Sequence, residues 1–148
     1  GDVSGDDDYQ RFVAHGIPAA NINTGKECHL DAHLVDHALA NLPLNNIDYL
    51  FIENVGNLVC PVDFPVGAHK RVVVISVTEG DDMVRKHPAI FAFSDVIIIN
   101  KVDLAQAMEV DPRVLEKDAR RTNPGARVIM MDARHGKGID ELVRALEL

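Results

Sequence analysis

No apolar run in this chain approaches the roughly 18–20 residues that a membrane-spanning helix needs, so no segment reads as a transmembrane span. Positive charge is in short supply as well. There are 15 Lys and Arg against 23 Asp and Glu, a net charge of −8 with a pI near 5.2. A nucleic-acid surface needs clustered basic side chains, and that balance argues against one. Cysteine occurs only twice, as Cys28 and Cys60, too few for a disulfide scaffold. A cytosolic pair of this kind is expected as free thiols or metal ligands. The opening Gly1-Asp2-Val3-Ser4-Gly5-Asp6-Asp7-Asp8 is not a signal-peptide pattern, and a cytoplasmic location is the expectation. Internal repeats, low-complexity segments and linkers are also lacking. Finally, no Gly-x-x-x-x-Gly-Lys-Ser/Thr occurs; Gly25-Lys26 is followed by Glu27 and has no upstream Gly at the required spacing.

What is present is an ordinary globular composition, 47% apolar and 26% charged over 148 residues, which suits one domain over 1–148. Short apolar runs punctuate the chain. Residues 71–77 and 96–100 are strong strand candidates, 49–53 and 126–131 are good ones, and 19–23 is weak. Continuous β-branched runs of this type read as strands covered on both faces, as in a parallel sheet. Helical patterns lie between them, at 8–15, 28–42, 112–122 and 139–146. Asp111 is placed to cap the third, with Pro112 in its first turn. Strand alternating with helix predicts a mostly parallel, doubly wound α/β sheet with flanking helices, a three-layer sandwich. Ligands of such folds sit beyond the carboxyl ends of the strands.

The chemistry gathers at predicted strand ends. Asn100-Lys101-Val102-Asp103 follows the apolar run 96–99. A carboxylate at Asp103 can accept from the N1–H and exocyclic N2 amine of guanine together, a donor pair that adenine lacks. Asn100 can bond the base edge or brace a neighbouring loop, and the aliphatic stem of Lys101 can cover the base face. A buried carboxylate left without donors is costly, which rejects the wrong base. The run 126–131 ends in Asp132-Ala133-Arg134, similar to the Ser-Ala-Lys loop of GTPases, whose alanine N–H meets guanine O6. Asp for Ser and Arg for Lys are departures from that pattern. Glu53-Asn54-Val55-Gly56 ends the run 49–53. GTPases carry an acid there that holds Mg²⁺ and a glycine whose N–H meets the γ-phosphate. The acidic cluster Asp2, Asp6, Asp7 and Asp8 offers a further Mg²⁺ ligand or a group to orient the attacking water.

Cys28-His29 and Cys60-Pro61 form a second constellation. Thiolate and imidazole suit Zn²⁺ and Ni²⁺, and a helix following Cys28-His29 would favour the thiolate. The competing reading is two buried cysteines acting as small hydrophobes. His29, His33 and His37 recur at i, i+4 and i+8, with His33 and His37 read chiefly as helix-face residues. His29-Leu30-Asp31-Ala32-His33 lacks the Glu of a zinc-peptidase motif.

Asn23-Thr24-Gly25-Lys26-Glu27-Cys28-His29-Leu30-Asp31-Ala32, then Phe51 through Pro61, then Asn100 through Leu104 closely resemble the hydrogenase nickel-incorporation GTPase family HypB. The resemblance extends over essentially the whole chain, including Thr78 through Asp82 and Lys86-His87-Pro88. It implies a P-loop GTPase fold and a protein that dimerises on GTP. It also implies GTP hydrolysis coupled to delivery of Ni²⁺ to the large subunit of [NiFe]-hydrogenase, alongside nickel-delivery partner proteins. Cys28, His29 and Cys60 match the family's Ni²⁺ or Zn²⁺ ligands at the dimer interface. Glu53 matches a Mg²⁺-associated acid, and Asp8 the acid near the γ-phosphate. The missing phosphate loop leads us to expect a preceding segment of about 60–80 residues and little turnover from this stretch alone. Two other readings stay open: a metal-binding scaffold without turnover, and a GTPase that matures another metalloenzyme such as urease. Val62 after Cys60-Pro61 departs from the Cys-Pro-His of the urease branch.

Overall fold

A computed structural model describes residues 1–148. Its contacts divide the chain into two compact units, Gly1–Ala68 and His69–Leu148.

The second unit carries the sheet. Strands β1 (Val72–Ser76), β2 (Val96–Asn100) and β3 (Arg127–Met130) run parallel in the order β1-β2-β3. Val73 sits opposite Ile97, and Ile97 opposite Val128, along one row of the register. Parallel neighbours need crossover connections. Helices α3 (Met83–Lys86) and α4 (Pro88–Ala92) lie on the first crossover and α5 (Pro112–Thr122) on the second. Helix α6 (Ile139–Leu146) closes the chain. The predicted strands at 71–77, 96–100 and 126–131 and the helices at 112–122 and 139–146 are therefore found. Asp111 caps α5 by accepting from Arg113 N–H at 2.9 Å.

The central strand explains the core. Val96, Ile97, Ile98 and Ile99 are all buried, the expected result of covering both faces. Val96 and Ile98 join Ile129, Met131 and Ala145 in one cluster, sealed by Leu142 and Leu146 of α6. Edge strand β1 departs from the two-sided expectation. Val73 and Ile75 are buried, but Val74 is 55% exposed and Val72 lies open beside it. Alternation returns on β1 because nothing in this unit packs over that face.

The first unit contains helices α1 (Asp7–Ala14) and α2 (Ala32–Leu39), short 3₁₀ turns and extended connections. The expected helices at 8–15 and 28–42 appear, the latter much shortened. Asp31 caps α2, accepting from Leu34 N–H at 2.8 Å. The expected strand at 49–53 does not form. Tyr49 and Leu50 are exposed and Phe51 is 72% exposed. Apolar composition favours pairing, but a strand also needs a neighbour for its N–H and C=O groups, and none pairs here. The weak candidate at 19–23 is reduced to one parallel bridge between Asp2 and Asn23. No helix is long and apolar enough to cross a membrane.

Candidate functional site

Both base-reading candidates occupy the carboxyl ends of adjacent strands in the second unit. Asn100 is the last residue of β2, and Lys101 turns the chain by adopting φ 59° and ψ 36°, a left-handed conformation. A 3₁₀ turn over Val102–Leu104 then presents Asp103 at the surface, and Val102 N–H donates to the Met131 carbonyl at 3.1 Å. The Asp103 carboxylate has no partner among the protein's hydrogen bonds and ion pairs.

The chain leaving β3 makes a closed loop. Asp132 and Lys137 exchange backbone hydrogen bonds of 3.1 and 3.0 Å, with a 3₁₀ turn over Ala133–His135 between them. Gly138 ends the loop at φ 84°, where a Cβ would stand 2.8 Å from the Met130 carbonyl oxygen. Asn100 Oδ1 accepts from Ala133 N–H at 3.2 Å. Of the two roles open to Asn100, the bracing one is thus in place, with Ala133 N–H held by Asn100. Ala133, Arg134 and Lys101 are exposed.

Asp132 stands where the GTPase pattern has Ser, and it is only 2% exposed. Both its oxygens lie on His135 Nδ1, at 2.8 and 2.7 Å, and one also accepts His135 N–H at 3.2 Å. Burial pushes the Asp132 carboxyl up, but hydrogen bonds and charge from His135, with Lys137 assisting, outweigh it and leave the carboxyl below its ordinary value. Asp103, Asp132 and His135 each bring one ligating atom within 4.8 Å of the others. Sequence reasoning missed His135. The signal was an Asp followed three residues later by His, in a turn bounded by Gly136 and Gly138.

The sulfur and imidazole candidates lie in the first unit. Cys28 is exposed and Cys60 half-buried, both as free thiols, so neither is packed away as a small apolar side chain. The neighbouring Cys60 thiol is the largest cause of a Cys28 thiol raised above its ordinary value, because it favours the protonated form of Cys28 as acceptor of its S–H, with desolvation adding to it. The thiolate-favouring helix terminus expected for Cys28 is not what this structure supplies. The helix starts four residues later, and its first turn is occupied by the Asp31 carboxylate.

Two asparagines bring the cysteine segments together, and sequence reasoning gave them no role. Asn54 Oδ1 accepts from Leu30 N–H at 2.8 Å. Asn57 Nδ2 donates to the Cys28 carbonyl at 3.4 Å and to Cys60 Sγ at 3.3 Å. Asn57 Oδ1 meanwhile accepts from Val59 N–H at 2.8 Å, which shapes the turn leading into Cys60. His29 Nδ1 stands 3.9 Å from Cys28 Sγ. Tetrahedral bond lengths of about 2.0–2.1 Å to nitrogen and 2.3 Å to sulfur place such ligands roughly 3.5 Å apart, so this pair fits a metal. The trio is not yet closed to the 4.8 Å that the Asp103 group meets. His29 instead stacks on Phe64, with ring centroids 3.6 Å apart and planes 20° from parallel.

The phosphate-side candidates are less organised. Asp8 lies in α1, exposed and 3.6 Å from Arg11. Glu53 is exposed, and its carbonyl rather than its carboxylate is engaged, by the Gly1 nitrogen at 2.7 Å. Gly56 is exposed in the loop before Asn57. Neither Asp8 nor Glu53 belongs to a group of three converging ligating side chains.

Against known proteins, the CobW/HypB/UreG nucleotide-binding domain family matches residues 2–130. The probable hydrogenase maturation factor HypB of Methanocaldococcus jannaschii is 53% identical over 147 residues, covering 99% of this chain and 66% of that protein. Other curated relatives are covered over about half their length. Among solved structures, hydrogenase maturation factor HypB from Archaeoglobus fulgidus superposes with a TM-score of 0.91 at 52% identity, over 99% of this chain and 71% of that one. HypB from Helicobacter pylori, solved in complex with nickel, gives 0.94 at 34% identity, over 99% of this chain and 70% of that one.

Proposed function

Since this chain belongs to the CobW/HypB/UreG nucleotide-binding domain family and shares the fold of HypB hydrogenase maturation factors, we propose that the protein is a GTP-hydrolysing metallochaperone. Its task is to assist nickel insertion into [NiFe]-hydrogenase, with the nucleotide state governing a Cys/His metal site. The observation that carries the metal half is Asn57, which bonds Cys60 Sγ and the Cys28 carbonyl at once. It supports a site in which Cys28, Cys60 and His29 receive Ni²⁺ or Zn²⁺ as cargo. Closing that site requires the three donors to draw nearer to one another than they now stand, starting from His29 Nδ1 at 3.9 Å from Cys28 Sγ. Three donors leave a tetrahedral site one short, and a second copy of the chain supplies the remainder in a dimer.

The base is selected in the second unit. Asp103 accepts from guanine N1–H and N2, the stem of Lys101 covers the ring, and Ala133 N–H turns from Asn100 to O6. Gly56 supplies an N–H for the γ-phosphate, and Glu53 and Asp8 are the residues that would hold Mg²⁺, whose charge supports phosphoryl transfer. In hydrolysis, water oriented by Asp8 forms a bond to the γ-phosphorus as the bond to the bridging oxygen breaks, yielding GDP and phosphate. Carboxylates are the right groups for these tasks, and their present exposure leaves them free to be drawn in.

The test is nickel titration of the native protein in its GTP-analogue and GDP states, beside Cys60→Ala. We expect affinity to depend on the nucleotide and to collapse in the variant in both states. Unchanged affinity in Cys60→Ala would sink the coupling. A GTP hydrolysis assay on the native protein separates the reading from a scaffold without turnover, which would release no phosphate.

A further inference from the structure

The chain has two cysteines, and the first unit sets them side by side. Cys28 precedes α2, and Cys60 opens a 3₁₀ turn over Cys60–Val62. One amide joins them: Asn57 Nδ2 donates to Cys60 Sγ at 3.3 Å and to the Cys28 carbonyl at 3.4 Å. Cys60 is also the acceptor that the Cys28 S–H meets. Both thiols are free, with Cys28 exposed and Cys60 half-buried. Little packing stands behind this arrangement. Leu30 and Val35 are the buried apolar side chains of the unit. The approach to Cys60 is shaped instead by Asn57 Oδ1, which accepts from Val59 N–H at 2.8 Å and Cys60 N–H at 3.3 Å. Hydrogen bonds exchange partners at small net cost, whereas a close-packed core resists deformation. A disulfide needs its sulfurs about 2.0 Å apart, and a segment tethered in this way is free to make that approach.

We propose that Cys28 and Cys60 also form a reversible redox switch, in which a peroxide closes them into a disulfide and so shuts the site to nickel. A sulfur bonded to sulfur has no thiolate to offer a metal. The Cys28 sulfur, open to solvent, attacks one oxygen of hydrogen peroxide. The O–O bond breaks, and the second oxygen takes the thiol proton and leaves as water, so that Cys28 becomes a sulfenic acid. The Cys60 sulfur then attacks the Cys28 sulfur. The S–O bond breaks, and the hydroxyl takes the Cys60 proton and leaves as a second water. Two thiols have lost two electrons to the peroxide, and a dithiol reductant reverses the step by exchange. A Cys28 thiol held above its ordinary value reacts slowly, so the pair answers sustained oxidation rather than a brief pulse. The disulfide rests on the geometry of the two cysteines alone, and its effect on nickel rests on the cargo reading above.

The experiment treats the reduced native protein and its Cys60→Ser variant with hydrogen peroxide. Peptide mapping without reductant follows the sulfurs, denaturing electrophoresis without reductant follows cross-linking between copies, and nickel titration follows the site. We expect a peptide joining residues 28 and 60, no cross-linked copies, and nickel affinity lowered by at least roughly a hundredfold. Adding and then removing dithiothreitol should restore the native affinity. Cys60→Ser should stop at a Cys28 sulfenic acid, trapped with dimedone. Nickel supplied beforehand at about ten times its Kd should slow closure about tenfold, because the loaded sulfurs are withdrawn by mass action. Cross-linked copies or sulfinic acids in place of the joined peptide overturn the proposal, as does closure at an equal rate with nickel bound. If the joined peptide forms but Cys60→Ser leaves the nickel affinity of the reduced protein unchanged, the cargo reading has failed and the control of nickel falls with it. If Cys60→Ser weakens nickel binding and no joined peptide forms, the redox inference has failed alone.

Discussion

The two units are held together by different physics. In His69–Leu148, a buried central strand and helices on its flanks remove branched apolar side chains from water, and hydrogen bonding follows from the sheet. In Gly1–Ala68, Leu30 and Val35 are the only buried apolar residues. Order there comes instead from asparagine side chains that reach across the chain: Asn21 to Gly5, Asn54 to Leu30, Asn57 to Cys28 and Cys60. Burial is non-directional and hard to undo locally. A net hydrogen bond is worth only about 1 kcal/mol and can exchange partners. A unit built the second way suits ligands that must gather around an incoming metal, and a unit built the first way suits a rigid platform for reading a base.

The comparison breaks most readily on stability. Ile97→Ala, at the centre of β2, should cost about 3 kcal/mol in urea unfolding, through lost burial and the cavity left behind. Phe51→Ala, at the most exposed large apolar residue, should stay within about 0.5 kcal/mol. Similar losses at both would mean that the first unit has a core of its own kind after all. Next in size, Cys60→Ser should lower nickel affinity roughly a hundredfold, by about 2.7 kcal/mol, while GDP affinity measured on the same sample stays put. A parallel fall in GDP affinity would make the division of labour untenable.

Two asparagines sharpen the contrast further. Asn123 donates to the carbonyls of Phe91, Ala92 and Ser94 in the second unit, so Asn123→Ala should reduce stability by about 1–3 kcal/mol with nickel binding intact. Asn57→Ala should do the reverse, weakening nickel binding about tenfold as loss of an outer-shell partner does, with a small change in melting. Calorimetry of both variants with and without Ni²⁺ reads the two effects side by side. The smallest effect concerns acid. Because the folded Asp132 carboxyl lies below its ordinary value, its ionised form stabilises the folded chain. That contribution is complete above the unfolded value near 3.9 and is lost as pH falls through the lower folded value. The urea midpoint gap between native protein and Asp132→Ser should therefore change little from pH 7 to 5 and shift against the native protein below about pH 4. A shift already complete at pH 6 would point to another group.

How far the sequence reached depended on the kind of signal. Val96 through Ile99 announce a strand buried on both faces, and Asp111-Pro112 announces a helix start, because those are properties of neighbouring residues. Tyr49 through Glu53 carries the same apolar lettering as a strand and does not become one, because pairing is decided by a partner elsewhere in the chain. Asn57 was visible as part of a specific block, yet its role required knowing that Cys28, 29 residues before it, lies beside it.

By itself, then, the sequence determined the chemistry on offer: a carboxylate suited to guanine at Asp103, two thiols and an imidazole suited to a soft or borderline metal, and the strands and the two longest helices of the second unit, though not the short helices α3 and α4. Those follow from side-chain identity and local periodicity. Only the tertiary structure decided how that chemistry is deployed. It set Cys60 against Cys28 through Asn57, turned His29 onto Phe64, and spent Asp132 on His135 so that Asp103 stands free. Such pairings depend on which distant backbones are brought within hydrogen-bonding reach, and no local pattern of residues records that.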